Sequence, residues 1–128
     1  MSSVPQYTLR RDQRAEVQRI LQVVAAFFRL NVSDLTGKRR FASFVWARHC
    51  AMYLVRKRLA LSLPQIGGQF GGRDHTSVIH AVGRVEAQLA EDTLVWGPNT
   101  ASHKQLALLE ELIDNAPVAV TAPFLRLV

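Results

Sequence analysis

Five consecutive polar residues, Arg73, Asp74, His75, Thr76 and Ser77, gather a guanidinium, a carboxylate, an imidazole and two hydroxyls into one short run. An Asp beside a His can serve acid–base catalysis. That use needs a nucleophile or a metal in reach, and the chain has no Cys/His or Ser/His/Asp arrangement at a workable spacing and no cluster of metal-ligating residues. We therefore expect no enzyme, no cofactor and no small-molecule substrate. The other use of such a run is hydrogen bonding to base edges, which requires the side chains to sit on an element that can enter a groove.

The flanking residues describe that element. Leu63, Ile66 and Phe70 fall at i, i+3 and i+7 and share one face of a short helix. Ser62 and Gln65 have the spacing of a capping box, and Pro64 sits in the first turn, where its missing N–H costs nothing. Gly71-Gly72 then allows a sharp turn at positive φ. Asp74 can cap a second helix, held to the domain by a stripe of Val78, Val82, Val85 and Leu89. Helix, glycine turn and a helix with polar groups at its leading end make a helix-turn-helix, whose second helix offers its N-terminal residues to the major groove.

Charge supports a polyanionic partner. Of the net +6, residues 1–35 contribute +2, residues 36–84 contribute +8 and residues 85–128 contribute −4. A centre this basic suits nucleic acid. The 128 residues allow one domain with its own core. There is no run of about 18 apolar residues to span a membrane and no signal-peptide pattern, so we expect a cytoplasmic, nucleoid-associated protein with no membrane partner. Cys50 is the single cysteine and reads as a core residue.

The remaining elements are helical, giving an all-α fold. Residues 1–11 read as a flexible arm and residues 12–96 as the helix-turn-helix domain. A first helix from Asp12, its cap, to Arg29 buries Val17, Ile20, Leu21, Val24, Phe27 and Phe28, and Asn31 ends it. Val32-Ser33-Asp34-Leu35 forms a short turn before Gly37. A long helix from Phe41 to Ala60 buries Phe44, Ala47, Ala51, Leu54 and Val55 and carries Arg48 and Arg56. Gly97-Pro98-Asn99 is a stop, after which residues 97–128 form a C-terminal extension. It contains a helix over 102–114, with a Ser102/Gln105 capping box and a stripe of Leu106, Leu109, Leu112 and Ile113, and an apolar tail that packs back or meets a partner.

With these residues laid out, Phe70-Gly71-Gly72-Arg73-Asp74-His75-Thr76-Ser77-Val78 closely resembles the signature of the C-terminal DNA-binding domain, domain IV, of the bacterial replication initiator DnaA, a helix-turn-helix of Trp-repressor type. The likeness runs from Val17 to Glu86 and includes Val32-Ser33-Asp34-Leu35, Lys38-Arg39-Arg40 and the Ser62-to-Gly67 opening. The resemblance implies that Arg73, Asp74, His75, Thr76 and Ser77 meet bases and nearby phosphates of a DnaA box. It also implies that Arg40 enters the minor groove, and that Arg48, Arg56, Leu63, Pro64 and Arg84 touch the phosphate backbone. The chemistry suits these roles: Arg can fork onto guanine, Asp can accept from cytosine and a Thr methyl can meet a thymine methyl. A narrow A·T minor groove attracts arginine.

The match departs in the long helix. The family pattern has an arginine at Ala42, a proline at Ala47 and a glutamine at His49, and the losses should weaken phosphate binding. Trp46, His49 and Tyr53 form an aromatic stripe instead, either covered by the C-terminal helix or offered to a protein. A phosphate-binding Gly-x-x-x-x-Gly-Lys-Ser/Thr loop is missing, so the chain is expected to act without ATPase activity. Two functions follow. One is a sequence-specific double-stranded DNA-binding protein that recognises DnaA-box-like sites and regulates replication initiation or transcription. The other is an interaction protein that binds DnaA or its regulators and retains the fold with weakened DNA binding.

Overall fold

In a computed structural model, which describes residues 8–97 and 100–116, the chain forms six helices: α1 (Arg11–Phe27), α2 (Val32–Thr36), α3 (Ala42–Arg58), α4 (Leu63–Gln69), α5 (His75–Trp96) and α6 (Ala101–Asn115). Helix α3 is the axis of the domain, packed against α1, α2, α4 and α5, while α6 closes over α1 and α5. Its surroundings explain its burial. Ala47, Cys50, Ala51, Met52, Leu54 and Val55 are all buried, because a helix ringed by others must be apolar on most sides. Phe44, expected among them, is half-buried and packs edge-to-face on exposed Phe41, 5.2 Å between centroids. Burial pushes the Cys50 thiol up to about 12, so it behaves as a small apolar core residue.

Several helix ends differ from the sequence reading. Helix α1 starts after Arg10 and not at Asp12: the Gln13 side chain accepts the Arg10 N–H at 2.9 Å, and Asp12 pairs with Arg10 at 3.2 Å. The chain before it is held as well. Leu9 is buried and Gln65 donates to the Thr8 carbonyl, so of the expected arm the described part packs on the domain, and residues 1–7 lie outside the described residues. At the other end α1 stops at Phe27, where Arg29 takes a left-handed φ of 59° and Leu30 donates to the Ala25 carbonyl. Asn31 begins α2 instead of ending α1, its N–H bound by the Asp34 carboxylate.

Helix α6 is capped two residues earlier than the Ser102/Gln105 pattern suggested. Thr100 is its cap, accepting from the His103 N–H, and Gln105 is free to accept from Trp46 Nε1 at 3.1 Å. Leu106, Leu109 and Ile113 are buried, whereas Leu112 faces solvent. Lys57 and Arg58 at the end of α3 reach Glu110, and Arg58 also pairs with Asp114. The acidic helix therefore neutralises the basic end of α3. The tail beyond Ala116 lies outside the described residues. Among the described residues no helix is long and apolar enough to cross a membrane, and no group of three or more His, Cys, Asp or Glu could hold a metal ion.

Candidate nucleic-acid interface

The turn between α4 and α5 is built from backbone contacts. Ser62 Oγ accepts the Gln65 N–H at 3.2 Å and Gln65 Oε1 accepts the Ser62 N–H at 2.8 Å, so the capping box sets the start of α4. Phe70, fully buried, anchors its end. Gly71 and Gly72 then take φ values of 78° and 77°, a region that residues with a Cβ rarely adopt. The chain folds back so closely that the Arg73 N–H donates to the Gly67 carbonyl at 2.9 Å, and a Cβ on Gly67 would overlap the Arg73 carbonyl. Gly67 is thus what lets α5 leave α4 at this angle. Only its place in the family motif, not its spacing, marks it in the sequence.

Asp74 caps α5, its carboxylate accepting the Ser77 N–H at 2.9 Å, and this bond holds the carboxyl below the ordinary carboxylate range. His75, Thr76 and Ser77 follow on the first turn, exposed together with Asp74. On the buried side Val78, Ala81 and Val85 hold α5 in place, while Val82 and Leu89 are half-buried. The polar run therefore forms a capped, exposed helix start.

Arg73 is placed differently from its neighbours. It is half-buried, and its guanidinium donates to the carbonyls of Phe70 (2.5 Å), Thr36 (3.5 Å) and Gly37 (2.7 Å). Arg48 is more enclosed still, 4% exposed, and donates to the carbonyls of Leu35 (2.7 Å), Asp34 (2.8 Å) and Arg39 (3.0 Å). Both arginines bind the C-terminal end of α2 and the segment that follows it, so they hold the start of the exposed Lys38-Arg39-Arg40 arm against the turn. An arginine whose donors are spent on buried carbonyls positions the interface before it touches a ligand.

The side chains converge on a hollow of about 550 Å³ between α3 and α5, lined by Arg40, Arg48, Arg73 and Arg84 with Thr76 and Ser77. Among the described residues no ion pair engages any of these arginines. Burial, then mutual repulsion with Arg40, lowers the Arg73 pKa, and burial with Arg73 and Arg40 does the same to Arg48. Asp74 also reaches this rim, as do His49 and His80; the spacing of His80 in the sequence carries no sign that α5 aims it at α3. Arg56 stands apart, exposed at the end of α3 and donating to the Leu61 carbonyl at 3.2 Å beside half-buried Leu63 and Pro64.

The aromatic stripe is divided. Trp46 is half-buried with its N–H on Gln105 of α6, and half-buried Tyr53 has Lys57 Nζ 6.0 Å from its ring centroid. His49 turns toward α5, where its ring meets His80. Trp46 and His49 also line a groove of about 450 Å³ with Arg84, Gln88 and Glu91.

A capped short helix, a two-glycine turn and a second helix presenting an exposed polar tip beside unpaired arginines define a helix-turn-helix protein. Residues 17–85 match the family model described as the bacterial dnaA protein helix-turn-helix. The chain belongs to that family. It is 47% identical over 87 residues to the chromosomal replication initiator protein DnaA of Corynebacterium jeikeium, covering 66% of this chain and 15% of the relative. The Limosilactobacillus fermentum DnaA is 47% identical over 74 residues (58% and 17%), and that of a Bradyrhizobium species 43% over 94 residues (73% and 20%). The chain thus spans a fifth or less of these relatives. A crystal structure of a DNA replication initiation factor superposes with a TM-score of 0.68 at 30% identity, covering 81% of this chain and 30% of that one.

Proposed function

We propose that this chain binds double-stranded DNA at DnaA-box-like sites and so takes part in the control of replication initiation or of transcription, by reading sequence and not by catalysis. The observation that carries the proposal is the exposed Asp74-to-Ser77 tip fixed on a rigid turn beside the arginine-lined hollow. His75, Thr76 and Asp74 supply the base-edge contacts. Ser77 and Arg84 bind adjacent phosphates, and Arg56 with the start of α4 at Leu63 and Pro64 meets the backbone further along. Arg40, on the arm, reaches the minor groove. Arg48 and Arg73 act first by holding that arm and the turn in register, and the Arg73 donors left over face the hollow.

The same fold leaves a second reading for the groove at Trp46 and His49, which is large enough to take a side chain of a protein partner such as the initiator or its regulators. Trp46 is bound to Gln105 of α6 and His49 is turned toward His80 of α5, which leaves little of the stripe for a protein, so DNA is the preferred partner. Titration of the full chain with a DnaA-box duplex and a scrambled duplex at physiological salt decides. Preference for the box supports the proposal, and equal affinity refutes it. His75→Ala and Thr76→Ala should erase discrimination, on the order of 1–3 kcal/mol, while Arg84→Ala should weaken both duplexes alike.

A further inference from the structure

His49 on α3 and His80 on α5 meet edge-to-face across the floor of the hollow, with ring centroids 6.3 Å apart and planes at 85°. His49 is half-buried and His80 exposed, so solvent reaches the pair. Both rings line the hollow, where an anion that enters it can meet them. We propose that His49 and His80 form a phosphate-binding pair that takes up a proton when duplex DNA enters the hollow, so that this chain binds DNA more tightly as pH falls. The proposal rests on the reading of the hollow as the DNA-facing surface. Position 49 is also where the chain departs from the glutamine of the family pattern, and histidine there brings a donor whose charge can change near neutral pH.

The electrostatic surroundings set the direction. Facing the pair are Arg40 on the arm, Arg48 on α3, Arg73 and Asp74 at the turn, and Arg84 on α5, with Glu91 further along the groove that His49 also lines. In the free protein burial, then His80, Arg84, Arg48 and Arg73, hold the His49 pKa below its ordinary value. A phosphate entering the hollow adds negative charge to a site where Asp74 stands among four arginines, which favours the imidazolium. His49 therefore has a higher pKa in the complex than in the free chain. Binding takes up protons, and affinity is gained as pH falls and lost as pH rises through the bound-state value.

The test is fluorescence anisotropy of the full chain on box and scrambled duplexes at constant ionic strength, from about pH 6 to about pH 8, the interval in which histidine titrates. Affinity for both duplexes should fall roughly fivefold to tenfold across that interval, the effect of one linked proton. His80→Gln and His49→Gln should each flatten the profile. His103→Gln should keep it, because that ring bonds Thr93 and Thr100 at the α5–α6 junction. Since His49 is half-buried and its replacement can disturb folding, proton NMR titration of the imidazole C–H resonances with and without duplex gives a second reading, and the expected result is a rise of the His49 pKa on binding. An unchanged pKa, or a double variant with the wild-type slope, overturns the proposal. A flat slope with intact discrimination sinks the proton coupling alone; an intact slope without discrimination sinks the box-reading function alone.

Discussion

Arg73 Nη2 donates to the Gly37 carbonyl at 2.7 Å, tying the recognition turn to the start of the basic arm 36 residues earlier in the chain. The contact links the α5 tip to the Lys38-Arg39-Arg40 arm. Arg73→Ala should therefore cost stability as well as binding, about 1.5–3 kcal/mol for a charged group hydrogen-bonded to carbonyls. Arg73→Lys should recover little, because a point charge cannot span the carbonyls of Phe70, Thr36 and Gly37. Urea unfolding followed by duplex titration separates the two effects.

Two glycines of the helix-turn-helix should respond in opposite directions. Gly67→Ala forces a Cβ into the Arg73 carbonyl and should destabilise by about 1–3 kcal/mol, with loss of duplex binding as α5 shifts. Gly83, in the exposed middle of α5 with open space around its Cα, should gain about 0.5–1 kcal/mol on replacement by Ala. Chemical denaturation of both variants checks the contrast.

A chain ended at Trp96 should not fold stably. It loses Leu106, Leu109 and Ile113 from the core, on the order of 5 kcal/mol of apolar burial, which is comparable with the whole stability of a small domain. Buried Arg19 also loses its acceptor at the Ile113 carbonyl. Circular dichroism should show reduced helix and no cooperative melt. A cooperative transition near that of the full chain would show α6 to be dispensable.

The Asp74 cap should fail only in acid. Its bond to Ser77 holds the carboxyl below the ordinary value of 3.8, so the stabilisation is present above that value and is lost as pH falls through the lower folded-state pKa. Carboxyl carbon-13 NMR should place the Asp74 midpoint below 3.8, and amide exchange at Ser77 should accelerate over the same interval. Asp74→Asn should retain the cap and abolish its titration.

The local signals in the sequence are those in which neighbours along the chain satisfy each other. Ser62 with Gln65, Asp74 with Ser77 and the positive φ of Gly71-Gly72 are contacts within a few residues, so residue type and spacing reveal them. The helical stripes of α1 and α5 are legible for the same reason. By itself the sequence determines an all-α chain with a helix-turn-helix, a basic centre and a polar tip. Tertiary structure decides what long-range packing controls: that α3 is buried on most sides, that Arg48 and Arg73 spend their donors on the α2–α3 segment, that His49 faces His80, and that α6 neutralises Lys57 and Arg58. These contacts join residues from 9 to 56 positions apart. Periodicity along one helix cannot express them, because a buried carbonyl takes whichever donor the fold carries to it.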